Sequence, residues 1–327
     1  MDPRGRAVST RIGGRAPSGW PGAVGLGLGY LADALLGDPR RWHPVAGFGR
    51  AATWLEQRTY ADARPAGVGH TLVLVGGTAG LAALAERSGA RRPLTTIILT
   101  GLATWTVLGR RSLARTATAV AEPLAAGDLP GARTQVRHLV GRDVAELSES
   151  EVARATVESV AENTTDAVVA PLLWGAVLGV PGLLGYRAVN TLDAMIGHRS
   201  PRYERFGWAS ARLDDLANWV PARVSGLAAA LAARLVGGSP PVVLRVVRRD
   251  AGQHPSPNAG VVEAAFAGAL GIRLGGRNSY RGQVCERGVL GDGPAAGAGD
   301  IPRANRLAAA VSLFALALAV LIRCVRR

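Results

Sequence analysis

The sequence predicts an all-α, multi-pass membrane helical bundle with a re-entrant or broken helix hairpin and extended polar loops. Three observations carry that expectation. Uncharged runs recur at 16–32, 65–85, 93–109, 167–186 and 307–322, each near the ~20 residues a helix needs to cross a bilayer. These runs lack the periodic polar face of a helix packed at the surface of a soluble domain. The run at 167–186 is also punctuated by Pro171 and by Gly179-Val180-Pro181-Gly182, and a proline inside a helix removes a hydrogen bond and crowds the preceding turn. A segment so marked is expected to break and fold back.

Taken in order, residues 1–15 carry arginines without a small-residue cleavage site, which reads as a basic extension before the first membrane helix. The stretch GDPRRWHPV after that helix places Asp38-Pro39 and His43-Pro44 in turns, because a residue before proline is driven out of helical conformation. Two apolar helices follow, and then a basic helical stretch from Arg110 to Val144 interrupted at Glu122-Pro123 and Gly127-Asp128-Leu129-Pro130-Gly131. Ser148 precedes Glu149 and Glu151, the pattern of a serine cap with acids in the favourable first turn. Residues 16–285 are read as the membrane-embedded catalytic domain, 286–304 as a flexible spacer and 305–327 as a last membrane helix with a basic tail.

The chain has 327 residues, 38 of them basic, and no lysine, for a formal charge of +14. Without a lysine it holds neither a Walker A phosphate loop nor a Schiff-base amine. Its charge suits phosphate-bearing ligands or an anionic membrane surface, and no aromatic interleaving or binding motif supports nucleic acid. Cys285 and Cys324 form no metal or disulfide pattern. Arginines flank nearly every apolar run, so they do not fix the topology.

Chemistry concentrates on both sides of the 167–186 run. Glu158, Glu162 and Asp166 recur at fourfold spacing and form one helical stripe with Asn163 beside it. Acids that enter an apolar segment ordinarily have a partner or a metal. Beyond the run, Asn190 and Asp193 sit one turn apart, and Asp214 shares a face with Asn218. Oxygen ligands so placed suit magnesium, which takes a few carboxylates together with phosphate oxygens and water. Arg187, Arg199, Arg202 and Arg212 could hold phosphate. Asn258, in the HPSPNAG turn at 254–260, and LGGRNSYRG at 274–282 supply tight turns with exposed backbone amides that could receive an anion.

The blocks GDPRRWHPV, VESVAENTTDAVVAPLLWGA, YRAVNTLDAMIGHRSPRYERFGWASARLDDLANWVPAR and SPNAGVVEAAFAGALGIRLGG resemble, in order over about 31–282, the CobD/CbiB family of adenosylcobinamide-phosphate synthases. The resemblance implies a cobalamin-biosynthesis enzyme of the plasma membrane that joins adenosylcobyric acid to aminopropanol or its phosphate, using ATP and Mg2+, with its site facing the cytoplasm. It also implies the lipid bilayer and other enzymes of the pathway as partners. On this reading Glu158, Glu162, Asp166, Asp193, Asp214 and Asp215 supply metal ligands or the base, with Asp193, Asp214 and Asp215 as the metal set. Asn163, Asn190 and Asn218 then orient substrate. Ala167, His198 and Val261 depart from the family pattern, and none of them removes a candidate acid. Two other readings of the same residues are a magnesium-dependent membrane prenyltransferase-like enzyme and a membrane transporter, the latter drawing on broken helices and on Asp33 inside an apolar run.

Overall fold

The computed structural model describes residues 19–38, 44–89, 92–198, 200–280 and 283–325. The basic extension at 1–15, Arg199 and the core of GDPRRWHPV lie outside the described residues. The helices run α1 (Trp20–Leu36), α2 (Pro44–Thr59), α3 (Arg64–Gly89), α4 (Pro93–Val107), α5 (Arg110–Ala125), α6 (Leu129–Val136) and α7 (Glu149–Thr164). They continue with α8 (Ala170–Leu178), α9 (Val180–Leu192), α10 (Trp208–Ala217), α11 (Trp219–Ala232), α12 (Pro240–Asp250), α13 (Ala259–Leu270) and α14 (Asp300–Val325). A single antiparallel hairpin, β1 (Leu274–Tyr280) with β2 (Gln283–Leu290), interrupts the helical order.

Among the described residues, three helical stretches are long and apolar enough to cross a membrane: Arg64–Gly89, Trp219–Val236 and Asp300–Val325. Their outward faces carry Leu72, Leu81, Leu227, Leu231, Leu313 and Leu321 exposed, the pattern expected where lipid replaces water. The second of these spans escaped a search for uncharged runs because Arg223 and Arg234 fall inside it. In the other direction, the run at 93–109 yields a helix of only 15 residues.

The helix start at Ser148 is a capping box: Ser148 Oγ accepts from Glu151 N–H while the Glu151 carboxylate accepts from Ser148 N–H. Most of α7 is buried, and it continues through a π-helical turn at Thr165–Val169 directly into α8. At Gly179 the chain reverses into α9. Gly179 has φ 70°, a left-handed conformation that glycine adopts without the clash a Cβ brings. Glu86 of α3 meets Val180 N–H at 3.4 Å and Arg323 of α14 at 3.5 Å, so the hairpin tip is tied to two neighbouring helices. Within the hairpin Leu172 and Leu183 are fully buried, each contributing roughly 1.5–3 kcal/mol by leaving water. The fold-back expected from Gly-Val-Pro-Gly is therefore present, and it returns the chain to the side it came from.

The stretch 286–304, expected to be a spacer, holds most of β2 and the start of α14. Ala296 and Ile301 are buried within it. Its glycines serve turns that pack, and their number alone does not make a linker.

Candidate functional site: a buried acid cleft at the hairpin mouth

The fold-back brings both polar clusters together. Asp166 stands in the π-helical turn before α8, and α9 ends in a second π-helical turn at Asp193–Gly197. Such one-turn bulges shift helical register and recur at functional sites. Here each one carries an aspartate of the cluster. A Cβ at Gly197 would press on the Asp193 carboxylate, so glycine leaves room for that side chain in the second turn.

One contact crosses from one arm to the other, and others tie α9 to the α10–α11 junction. Tyr186 Oη donates to Asn218 Oδ1 at 2.8 Å and lies 3.5 Å from Asp166 Oδ1. Asp214 accepts from Asn218 Nδ2 at 3.0 Å and from Asn190 Nδ2 at 3.5 Å. A cavity of about 40 Å³ lies at this junction, lined by Glu162, Thr165, Asp166, Asp214, Asn218, Ser256 and Asn258 among others. Asn258 is fixed there by accepting from Arg223 at 2.8 Å and donating to the Asp215 carbonyl at 2.7 Å.

The cleft concentrates like charge. Burial, and then Asp214, Glu162 and Asp193 nearby, push the Asp166 carboxyl well above the usual range. Burial also raises Asp214, opposed by its bonds to Asn218 and Asn190. Glu162 reaches water through the cleft, yet protein surrounds it, and this burial lifts its carboxyl against the pull of Arg287. Asp193 is raised to about 7, by burial first and then by Asp214 and Asp215. A deep cleft of acids that repel one another is a place where a cation gains.

Asp193 gives this a measurable sign. Its folded value of about 7 exceeds the ordinary 3.8, so between those limits the native state binds more protons than the unfolded chain. Stability then falls as pH rises through that window. In chelator, the thermal midpoint is expected to drop from pH 4 to pH 7. Asp193→Asn should flatten the slope, and magnesium should reduce it near pH 7. A wild-type midpoint that rises steadily across this range is the opposite result.

Other sequence candidates take different places. Glu158 is 2% exposed, and its carboxylate is occupied by Arg142 at 2.5 Å, Arg154 at 3.9 Å and Gly275 N–H at 2.8 Å. It therefore ties α7 to the β hairpin. Asn163 donates back to Ser159 O on its own helix at 2.9 Å. Arg202 bonds Glu56 at 2.9 Å and stacks over Tyr60, which anchors its loop to α2. Arg212 pairs with Asp215 at 3.1 Å on an exposed face. Arg187 lies on α9, 3.4 Å from Asn190 Oδ1, beside a separate apolar cavity of about 160 Å³.

The expected metal set of Asp193, Asp214 and Asp215 is not preformed. Among the described residues no group of three His, Cys, Asp or Glu side chains converges on one point, and Asp215 turns to Arg212. Sequence reasoning also missed Arg142, His254, Glu263 and Arg287. Arg142 reaches α7 from a loop, while His254 in a turn meets Glu263 of an apolar helix and Arg287 of a strand, and no local pattern joins them.

A helical membrane bundle whose broken hairpin closes an acid-lined cleft defines the class. The family model for CobD/Cbib protein matches residues 26–308, and the chain belongs to that family. It is 52% identical over 300 residues to the cobalamin biosynthesis protein CobD of Mycobacterium tuberculosis, covering 92% of this chain and 95% of that one. It is 49% identical to the protein of the same name from Geobacter metallireducens, covering 83% and 86%. For that of Chromobacterium violaceum the identity is 45%, covering 87% and 91%. No solved structure matches the chain.

Proposed function

We propose that the protein is an enzyme of cobalamin biosynthesis that converts adenosylcobyric acid to adenosylcobinamide or its phosphate, forming an amide with aminopropanol or aminopropanol phosphate at the expense of ATP. One observation carries the reading: acids from both sides of the hairpin share a single cleft, with Glu162 and Asp166 from before the Gly179 break and Asp214 from after it lining one cavity. The relatives named for cobalamin biosynthesis support the pathway.

A carboxylate resists attack by an amine, so it must first be activated. Transfer of the ATP γ-phosphoryl group to the corrinoid carboxylate gives an acyl phosphate and ADP. The amine nitrogen then attacks the acyl carbon, the C–O bond to phosphate breaks, and the amine gives up a proton. Glu162, ionisable and open to the cleft, is placed to take that proton. Asn218, Asn190 and Asn258 present fixed amides that orient the reactants. Asp214 and Asp193 fit Mg2+, which takes one or two carboxylates plus phosphate oxygens, and bound there it would supply charge neutralisation for the phosphates. On this reading the cleft faces the cytoplasm, where ATP is available.

The test is reconstitution. Purified protein in detergent or lipid, given adenosylcobyric acid, aminopropanol phosphate, ATP and magnesium, should yield cobinamide phosphate by mass spectrometry with one ADP per amide. Well-folded protein that forms neither product nor ADP sinks the assignment. Pyrophosphate release from an isoprenoid substrate would favour prenyl transfer, and substrate flux into vesicles without covalent change would favour transport.

A further inference from the structure

Behind the cleft wall the apolar helix α13 carries one acid. Glu263 is 0% exposed, and neither of its carboxylate oxygens has a hydrogen-bond partner. Buried polar atoms in folded proteins are nearly always bonded, so an orphan of this kind has a reason. The nearest base is His254, whose Nε2 lies 3.6 Å from Glu263 Oε1. Arg287 Nη1 stands 3.2 Å from the same nitrogen. On the other side of the ring, Nδ1 lies 3.0 Å from Ser256 N and 3.3 Å from Ser256 O. Ser256 and Glu162 both line the cleft.

A neutral imidazole carries one proton, so these contacts sort into two exclusive sets. With the proton on Nδ1, that nitrogen donates to Ser256 O at the expense of the 3.0 Å bond from Ser256 N–H, and the Nε2 lone pair accepts from Arg287 with a neutral Glu263 alongside at 3.6 Å. With the proton on Nε2, Nδ1 accepts from Ser256 N–H and Nε2 serves an ionised Glu263. Arg287, which can only donate, then confronts an N–H. An ionised Glu263, which only accepts, draws the proton to Nε2, whereas a neutral one lets Nε2 accept from Arg287, so the charge on Glu263 biases the contact between Arg287 and His254. Arg287 is also the leading positive charge acting on Glu162.

We propose that Glu263, held as a neutral carboxylic acid, works with His254 as a positioning pair that keeps Arg287 directed at Glu162 beside the cleft. The charged and titratable groups facing Glu263 are Glu158 and Glu162 on α7, Arg142 ahead of α7, Arg287 on β2, and His254. Burial, then Glu158 and Glu162, drive its carboxyl well upward, and Arg287 and Arg142 oppose them. Burial and Arg287 lower His254. Both shifts keep the pair neutral. Helix α13, at 12 residues, is too short to span a bilayer.

The proposal rests on the amide-forming reading only for its activity arm, and its first test needs no turnover. Infrared spectra of wild type minus Glu263→Gln at neutral pH should show a protonated-carboxyl C=O band that the variant lacks. Nitrogen NMR of labelled histidine should place the His254 proton on Nδ1. Absence of the band, or a proton on Nε2, overturns the proposal whatever the protein catalyses. Should Glu263→Gln fail to fold, wild type with carbon-labelled glutamate reads the same band. In the activity arm, Glu263→Ala should lose about 10- to 100-fold in turnover, the size seen when an outer supporting partner is removed. Glu263→Gln should keep most of the turnover and flatten the alkaline limb of the pH profile. Equal loss in both variants overturns the neutral-acid role.

Discussion

Replacing Asp214 by asparagine is expected to lower turnover by about 10²- to 10³-fold, the cost of removing one charge-stabilising group, while the thermal midpoint holds or rises. The two effects have one origin. Asparagine keeps the shape of the side chain and an acceptor oxygen for Asn218 Nδ2, which stands 3.0 Å away. It loses the negative charge, and that charge is the largest Coulombic cause raising both Asp166 and Asp193. Repulsion stored among the acids is relieved, which favours the native state. On the proposed reading, loss of the same charge removes one of the two carboxylates that would hold magnesium, and with it the cation that would balance the phosphates. Function and stability therefore move in opposite directions, as expected where a site stores destabilising interactions. Single-turnover kinetics and a thermal scan on the same preparation check both signs. Near-normal turnover in folded Asp214→Asn would take Asp214 out of the chemistry.

Local chemistry made much of this architecture readable. The Gly-Val-Pro-Gly break carried its own conformational demand, and Gly179 meets it with a positive φ. Ser148 and Glu151 lie three residues apart, so their capping box needed no tertiary knowledge. The acids of the cleft were legible as polar residues flanking an apolar run. What stayed hidden depends on long-range packing. The first strand, LGGRNSY, has no alternation of apolar and polar positions, so nothing marked it as a strand. It exists because Glu158 and Arg154 of α7 bind its backbone at Gly275 and Arg277. Glu158 shows the same limit from the other side. Its spacing placed it with Glu162 and Asp166, but the face they share runs past the cleft, and at Glu158 it meets the β hairpin. Arg142 then claims its carboxylate. Spacing on a helix reports which residues share a face and says nothing of what that face meets.

That reassignment makes Glu158→Ala the substitution with the largest expected effect on stability. Glu158 and Arg142 are 2% and 5% exposed and 2.5 Å apart, and Arg142 also bonds Asn278 Oδ1 on β1. Removing the acid takes the neutralising carboxylate from the buried Arg142 guanidinium and leaves the Gly275 N–H without its acceptor. Breaking a buried pair on one side costs about 3–5 kcal/mol, mostly from the uncompensated charge. Arg142→Met alone should cost a similar amount, because Glu158 would keep only Arg154 at 3.9 Å and the Gly275 amide. Once one partner is gone the other has little left to lose. The double variant Glu158→Leu with Arg142→Met should therefore be far less destabilised than the sum of the single changes. Denaturation of all three variants measures this coupling, and hydrogen exchange should show the β hairpin opening first in Glu158→Ala. Strict additivity would mean that the pair does not hold the hairpin to α7. A Glu158→Ala protein with an unchanged midpoint and lost turnover would return Glu158 to the catalytic set.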